Sequence, residues 1–279
     1  MRQTQPMLFT DLHSHYIYNV DDGAQNIDQT LAMLEAAQRR NIRHLLATPH
    51  ITDGTNEIIS QRILDHFREI EQRIESAGLD IKISLGSEIF YGSQINNHFT
   101  YPWSTFANNG KYFLFELPLF DLPEGVSDFI FNSKIQGRTP ILAHPERYLY
   151  LRDDLSTLLG WYRQGCLMQM NAGSLTGHFG QRVIDFSRKL LMVGLYHFVA
   201  SDAHDTHFRN YKALEEAYEE AAPLLDEEEM ENLLHHNPER AIKGEPIAQR
   251  EIDEDFLRKS WLHKLLSPIR QAKRRLVKP

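Results

Sequence analysis

Short apolar runs, many of them rich in β-branched or aromatic residues, alternate along the chain with longer segments of helical periodicity. Seven runs have the length and composition of strands: Met7–Leu12, His44–Ala47, Ile81–Leu85, Tyr112–Leu117, Pro140–Ala143, Leu167–Met170 and Phe198–Ala200. Several of the segments between them predict helices, at Ile27–Arg40, Ile58–Ala77, Leu155–Gln164 and Val183–Val193. Alternation of strands and helices is typical of βαβ units around a parallel sheet. The pattern therefore predicts an α/β fold, and seven strands are enough to curl into a barrel.

Beyond Asp202 the pattern is helical, with helices predicted at Tyr211–Leu225 and Glu227–His236 and an end at Asn237-Pro238. The chain has 279 residues, and α/β barrels commonly form single domains of roughly 200–250 residues. We therefore expect one barrel domain at residues 1–245, followed by a helical C-terminal extension at 246–279.

Residues that can bind metal ions lie where the predicted strands end. Six of the seven runs end in or deliver histidines or acids, in the segments HSH, TPH, GSE, FE, HPER and SDAH. In parallel α/β barrels these strand ends share one face, where active sites form. In a His-x-His segment on a strand both imidazoles point to the same side. Together with an acid of the loop Asp21-Asp22-Gly23, the set comprises nine candidate ligands: His13, His15, Asp22, His50, Glu88, Glu116, His144, Asp202 and His204.

The size of this set indicates a cluster of ions. A single catalytic ion with an open position needs only about three protein ligands. Nine ligands predict two or three ions, with a carboxylate that bridges at least one pair. Metal ions about 3.5–4 Å apart form the clamp used for in-line displacement at phosphorus. Imidazoles and carboxylates without a thiolate suit Mn, Fe or Zn better than Mg or Ca.

The ordered motifs DLHSH, VDDG, TPH, GSE, FELP, AHPERY and SDAH resemble the PHP (polymerase and histidinol phosphatase) superfamily. More narrowly, HSHYIYNVDDGA and ILAHPERY resemble the bacterial PHP-type protein-tyrosine phosphatases of capsule and exopolysaccharide operons. The resemblance runs from about Asp11 to Pro238. It implies a distorted (β/α)7 PHP barrel with three divalent metal ions, for which we expect Mn before Fe or Zn. By motif position the first ion is bound by His13, His15, Glu88 and Asp202, the second by Glu88, Glu116 and His144, and the third by Asp22, His50 and His204.

The activity that this resemblance implies is hydrolysis of phosphotyrosine, with a bacterial tyrosine kinase of polysaccharide synthesis as the protein substrate. Arg147 follows His144 by three residues, and a guanidinium can bind phosphate oxygens through two hydrogen bonds. Arg209 follows His204 by five residues and also matches a family position. We expect these two arginines to bind the phosphoryl group. A further hypothesis is that the aromatic residues that flank the ligands form a slot for the phenyl ring: Tyr16, Tyr18, Phe90, Tyr91 and Tyr148.

Three other functions compete with this interpretation. A small-molecule phosphatase of the histidinol-phosphate type would use the same fold, but the HSH-to-VDDG arrangement disfavours it. A metal-dependent nuclease is disfavoured by charge, since it needs a basic face. A non-catalytic, metal-containing protein that binds the kinase is disfavoured by the complete ligand set and Arg147.

Cys166 is the single cysteine. The cysteine-dependent tyrosine phosphatases need an arginine six positions after the nucleophile, and this chain has Ala172 there. Cysteine catalysis is therefore rejected. One cysteine also rules out an intramolecular disulfide and favours a reducing compartment. With no signal-like apolar stretch at the N-terminus, we expect a cytoplasmic protein.

Charge is distributed unevenly along the chain, whose net charge is −8. Residues 256–279 contain eight Lys or Arg and no Asp or Glu, so the remainder carries −16. The acidic body argues against a nucleic-acid partner. In the basic tail, apolar residues from Phe256 to Ile269 trace one helical face, which could lie on an anionic membrane surface, on the barrel or on a partner. The tail thus leaves peripheral membrane association open, and the sequence leaves homo-oligomerisation open.

Overall fold

The protein, described here by a computed structural model over residues 7–252, is built from parallel strands that alternate with helices. The described residues contain nine strands: β1 (Phe9–Ser14), β2 (Ile42–Ala47), β3 (His50–Ile51), β4 (Lys82–Leu85), β5 (Glu88–Phe90), β6 (Tyr112–Glu116), β7 (Thr139–Ala143), β8 (Leu167–Asn171) and β9 (Phe198–Ala200).

The α-helices of the same residues are α1 (Ile27–Arg39), α2 (Glu57–Ala77), α3 (Val126–Ile135), α4 (Leu149–Asp153), α5 (Leu155–Arg163), α6 (Gly173–Thr176), α7 (Gln181–Met192), α8 (Lys212–Ala221), α9 (Glu227–Glu231) and α10 (Asn237–Lys243). Three short 3-10 segments occur at Ile95–Thr100, Phe106–Asn108 and Pro145–Arg147, and a π-helical turn occurs at Asn232–His236.

The strands form two parallel sheets, ordered β1-β2-β4 and β3-β5-β6-β7-β8-β9. Every neighbouring pair is parallel, so the predicted α/β fold with parallel strands is confirmed. A bridge between Ser14 and Ala203 brings the end of β1 beside the segment after β9. The backbone N–H of Asp202 also donates to the His13 carbonyl at 2.9 Å. The first and last strands therefore end side by side.

The two short strands β3 and β5 were not predicted from the hydrophobic pattern. Each lies two residues beyond a predicted strand, after a break at Thr48-Pro49 or at Gly86-Ser87. Proline has no N–H to donate to a strand ladder, and β2 stops before Pro49. The chain then resumes in the second sheet, where β3 pairs with β5. Strands of two and three residues are too short for hydrophobic periodicity to detect.

Burial explains why the strands read as continuous apolar runs. In β6 the side chains of Phe113, Leu114 and Phe115 are all fully buried, because parallel strands are covered on both faces. Helix α2 is capped by Asn56, whose side-chain oxygen accepts from the N–H groups of Ile58 and Ile59. This N-cap satisfies donors that would otherwise be unpaired.

The predicted helix end at Asn237-Pro238 is wrong. The helical path continues from α9 through the π-helical turn into α10 and ends at Gly244, which has φ 72°. Pro238 lies in the first turn of α10, where proline is tolerated. Residues 246–252 form no helix or strand, and the rest of the predicted helical extension, 253–279, lies outside the described residues. Over the described part of the chain, every helix is too short or too polar to cross a bilayer.

A buried histidine, His197, makes the free energy of unfolding depend on pH. His197 is fully buried, and its Nδ1 accepts from the Met168 N–H at 3.1 Å. Burial, together with the positive charge of Arg250, lowers the pKa of His197 to about 3. Between this value and the usual pKa of about 6.5, the unfolded chain binds a proton that the folded chain does not bind. The free energy of unfolding therefore falls as the pH drops through this range.

We expect His197→Asn to weaken this acid sensitivity, since its amide oxygen can accept the Met168 N–H but does not titrate. Between pH 6.5 and 4.5 the wild type should lose about 2 kcal/mol more free energy of unfolding than the variant. Urea unfolding of both proteins at several pH values measures the difference. Parallel pH profiles would contradict the assignment of a neutral, buried imidazole.

Candidate metal centre

The nine predicted ligands come together around the C-terminal ends of β1, β6, β7 and β9, the starts of β3 and β5, and the loop after β1. Contacts of less than 4 Å join all nine into one cluster. Five imidazoles and four carboxylates meet there. The sequence prediction that these residues share one face is confirmed.

The first group consists of four atoms that face one another. The Nε2 atoms of His13 and His15 are 3.2 Å apart. Glu88 Oε2 lies 3.0 Å from the His13 nitrogen and 3.4 Å from the His15 nitrogen. Asp202 Oδ1 lies 3.4 and 3.5 Å from the same two nitrogens.

These spacings fit atoms arranged around a cation. Ligands at about 2.0–2.2 Å from a tetrahedral ion are about 3.3–3.6 Å apart by geometry, and the His13, His15, Glu88 and Asp202 atoms are 3.0–3.5 Å apart. When both imidazoles are neutral with these nitrogens unprotonated, the nitrogen lone pairs and the carboxylate oxygens that face one another repel. A divalent ion removes this repulsion. The residues of this group therefore fit a bound metal ion.

The other two groups share residues with the first. His144 Nε2 lies 3.2 Å from Glu88 Oε1 and 3.9 Å from Glu116 Oε2. Glu88 thus turns one oxygen toward His13 and the other toward His144, as a bridging carboxylate would. In the third group Asp22 Oδ1 lies 3.1 Å from His204 Nε2 and 3.4 Å from His50 Nε2.

His50 differs from its predicted place in one respect. Its Nε2 faces Asp22, as expected, but its Nδ1 lies 3.3 Å from both Glu88 and Glu116. Among the described residues, three sets satisfy the spacing of metal ligands: His13–His15–Glu88, His50–Glu88–Glu116 and His15–Asp22–His50–His204. The imidazole of His50 therefore lies between the second and third predicted positions.

Two of the ligands have backbones in the left-handed region, with φ 36° at His144 and φ 54° at Asp202. Neither is glycine, and such conformations cost of the order of 1–3 kcal/mol each. The strain is concentrated where β7 and β9 deliver their ligands. It redirects the chain so that the side chains point into the cluster.

Gly23 of the VDDG motif is required by a close approach. A Cβ at this position would lie 1.9 Å from the His15 carbonyl oxygen. The loop thus lies directly against the ligand-bearing end of β1. Only glycine fits there, and the neighbouring Asp22 is carried over the cluster as a result.

Residues around the ligands orient them. Asp21 Oδ2 lies 2.9 Å from His15 Nδ1, and its Oδ1 accepts from the Gly23 N–H at 2.9 Å. Asp21 therefore caps its own loop and also contacts His15. A carboxylate on the second nitrogen of a ligating imidazole fixes its orientation and raises its basicity.

Strand β8 supplies two further orienting residues that the sequence analysis missed. Gln169 Oε1 lies 3.0 Å from His13 Nδ1, and Asn171 Nδ2 donates to Asp202 Oδ2 at 2.7 Å. This strand was the one predicted strand without a candidate ligand. Its position between two ligand-bearing strands was the available signal, because a central strand must place side chains at the same face.

The ligand side chains shift one another's pKa values. Burial and the nearby charge of Glu88 raise the pKa of Glu116 to about 7. Although burial opposes it, the charge of Glu88 and the contact with Asp22 raise the pKa of His50 to about 9. Burial and then the charge of Arg147 lower the pKa of His144 to about 4, so this imidazole is neutral at pH 7. A neutral imidazole beside ionised carboxylates is the state that binds metal ions.

Both predicted arginines lie at the edge of the cluster and contact the same oxygen. Arg209 Nη2 donates to Asp202 Oδ2 at 2.6 Å, and Arg147 Nη1 donates to it at 3.3 Å. Asp202 thus connects the ligand cluster, through Oδ1, with both guanidinium groups, through Oδ2. Each arginine keeps part of its side chain exposed. An anion at this edge could reach both.

The predicted aromatic slot is wrong for two of its five residues. Tyr16 and Tyr148 are fully buried, and the Tyr148 hydroxyl accepts from the Leu117 N–H at 2.9 Å. Tyr18 stacks on His66 with ring centroids 3.9 Å apart, and the Tyr91 hydroxyl donates to the Glu124 carbonyl. Tyr16 and Tyr148 therefore belong to the core and cannot wall an open slot.

Cys166 is fully buried next to the sheet, and burial raises the pKa of its thiol well above the usual range. A neutral thiol is a poor nucleophile. The rejection of cysteine catalysis is confirmed by this environment.

The fold and the site together define a class: a parallel α/β metalloprotein whose ligands gather at the strand ends beside a pair of arginines. Residues 9–243 match the family described as capsular polysaccharide synthesis, CpsB/CapC, and the chain belongs to this family. Its membership confirms the predicted resemblance to tyrosine phosphatases of capsule operons.

Similarity to individual proteins extends over most of the chain. It is 29% identical over 240 residues to the tyrosine-protein phosphatase YwqE of Bacillus subtilis, covering 85% of this chain and 92% of that protein. The putative tyrosine-protein phosphatase CapC of Staphylococcus aureus is 28% identical, with 90% and 98% covered. A crystal structure from work on YwqE of B. subtilis and CpsB of Streptococcus pneumoniae, described as metal-dependent tyrosine phosphatases, superposes with a TM-score of 0.80 and 28% identity. It covers 87% of this chain and 98% of that one.

Proposed function

We propose that the protein is a metal-dependent protein-tyrosine phosphatase of the PHP type. The observation that carries the proposal is the position of Asp202, which joins a cluster of metal-ligand geometry to two guanidinium groups. A phosphate monoester needs both kinds of partner on its oxygens. The names of the related proteins support phosphotyrosine as the substrate and capsular polysaccharide synthesis as the setting.

The ligand sets of three metal ions follow the family motifs. His13, His15, Glu88 and Asp202 would hold the first ion, Glu88, Glu116 and His144 the second, and Asp22, His50 and His204 the third. Mn²⁺ is the ion that we propose, ahead of Fe or Zn. The 3.0–3.5 Å spacing of the first set and the two-sided position of Glu88 support this assignment. When bound, such ions supply Lewis-acid activation of water and neutralise charge at phosphorus.

The protein's own side chains bind and orient the substrate around this chemistry. Arg147 and Arg209 hold the phosphoryl oxygens and stabilise the charge that develops on them during in-line attack. Asp21 and Gln169 hold the imidazoles of His15 and His13 in place. Because phenol has a pKa of about 10, the tyrosine leaving group needs little help from a general acid.

The architecture that goes with this activity is a distorted (β/α)7 barrel at residues 1–245, with a separate basic extension at 246–279. Adjacency of β1 to the segment after β9 supports closure of the two sheets into one barrel. A bacterial tyrosine kinase of polysaccharide synthesis is the proposed protein substrate, in the cytoplasm, and the basic tail would favour contact with that kinase or with the membrane beside it.

Metal removal is the first test of this function. The Mn²⁺-loaded protein is expected to hydrolyse a phosphotyrosine peptide and p-nitrophenyl phosphate, and to lose this activity on dialysis against a chelator, because the ligand cluster alone cannot activate water. Restoring Mn²⁺ should restore turnover. Initial rates with each substrate, before and after dialysis, measure this.

The same assay decides between the alternatives. A phosphoserine peptide and histidinol phosphate serve as matched monoesters. Faster turnover of histidinol phosphate would keep the chemistry and replace the substrate. Absence of turnover with all four compounds, in protein with bound metal, would favour a non-catalytic kinase-binding role.

A further inference from the structure

Three aromatic side chains lie beside the two arginines at the edge of the metal centre, one of them in contact with Arg147 and another next to Arg209 in the chain. The Arg147 guanidinium lies 4.6 Å from the centroid of the Phe179 ring. The neighbouring His178 stacks on Phe208, with centroids 5.6 Å apart and planes inclined by 17°. Phe208 directly precedes Arg209 in the chain. We call Phe179, His178 and Phe208 the aromatic rim.

The rim is held in place by the metal centre. Arg147 and Arg209 both donate to Asp202, so the two ends of the rim are fixed to one carboxylate. The His178 imidazole has a tightly fitted position, since a Cβ at Gly173 would lie 2.7 Å from its Nδ1. The Gly173 N–H in turn donates to Asn171, which orients Asp202.

Phe208 is largely exposed to solvent. Its side chain is 67% exposed, although it lies one residue from a phosphate-binding arginine and on the loop after β9. The loop is ordered by Asp205, whose carboxylate accepts from the N–H groups of His207, Phe208 and Arg209. With the half-buried His178 and Phe179, Phe208 forms a contiguous aromatic surface beside Arg147, and contiguous exposed apolar surface rimmed by polar groups is typical of a site that binds a ligand.

We propose that the aromatic rim, and Phe208 in particular, receives the phenyl ring of the phosphotyrosine while Arg147 and Arg209 hold its phosphate. The inference rests on the proposed phosphatase function and names the residues that distinguish aryl from alkyl phosphates. Aromatic pairs favour offset-stacked or edge-to-face contact, and a phenyl ring beyond the phosphate would meet Phe208 in place of solvent. Phe179 is a positioning residue, since it contacts the guanidinium of Arg147.

Binding of two phosphonates to the Mn²⁺-loaded protein tests the proposal without requiring turnover. Phenylphosphonate and methylphosphonate share the anionic group and differ in the ring. The wild type is expected to bind phenylphosphonate more tightly. Phe208→Ala should lower this preference about 3- to 10-fold and leave the affinity for methylphosphonate unchanged. Phe208→Tyr should restore the preference. Titration calorimetry measures both affinities for each protein.

Phe131→Ala is the matched control, because Phe131 is an exposed phenylalanine on α3 that is 56% accessible. It should leave both affinities unchanged. An equal loss of both phosphonates in Phe208→Ala would show that Phe208 acts only by holding Arg209, and an unchanged preference would show that the ring binds elsewhere. Either result overturns the proposal. Failure of the phosphatase function is a separate result, seen as absence of phosphotyrosine hydrolysis by the wild type.

Discussion

Glu88→Gln is expected to lower kcat/KM for a phosphotyrosine peptide on the order of 10³-fold or more. Loss of a residue that only orients a ligand costs about 10–100-fold, and loss of one preorganised charge-stabilising group costs about 10²–10³-fold. The loss of kcat/KM in Glu88→Gln should exceed both values, because the two Glu88 oxygens face His13 and His144 on opposite sides. An amide keeps the shape but cannot bridge two cations with two anionic oxygens.

Two measurements separate this cause from loss of folding. Metal content by elemental analysis should fall together with activity, while circular dichroism stays at the wild-type signal. Glu75→Gln removes the same charge from an exposed position on α2 and should behave as the wild type does. Retention of full metal content and activity by Glu88→Gln would refute the bridging role.

The site was predictable from the sequence because parallel topology converts order along the chain into proximity in space. His13 and Asp202 were assigned to one face because each follows a predicted strand, and to one ligand set because of the family resemblance. They lie 3.4 Å apart. Periodicity located the strands to within a few residues, and the C-terminal ends carried the chemistry. The same logic explains the correct placement of Arg147 after β7.

The features of the site that were not predicted depend on contacts that leave no local pattern in the sequence. Gln169 and Asn171 orient the ligands from β8, but neither residue type nor spacing marks them as different from other polar residues in a strand. Tyr148 follows the HPER segment and was expected at the site, yet its ring is buried and its hydroxyl pairs with the backbone. The direction of a side chain at a turn depends on the backbone φ angle, such as φ 36° at His144. The hydrophobic pattern of the sequence does not reveal this angle.

The two arginines were predicted by spacing, but the oxygen they share was not. Since Arg147 and Arg209 donate to the same Asp202 oxygen, their effects should not be independent. Contacts within one network are non-additive by about 0.5–3 kcal/mol. Removal of one guanidinium leaves the other in place to hold the phosphate and the carboxylate.

Arg147→Ala should lower kcat/KM for the phosphotyrosine peptide on the order of 10²-fold, as expected for one donor to developing charge, with metal content unchanged. Arg62→Ala, an exposed arginine on α2, is the control and should have no effect. In a double-mutant cycle with Arg209→Ala, we expect the combined loss to differ from the product of the single losses. A purely multiplicative result, or loss of metal in Arg147→Ala, would mean that the arginine supports the cluster and does not bind the phosphoryl group. Retained metal with a non-multiplicative loss would instead indicate that both guanidiniums act on one anion, as their common contact with Asp202 implies.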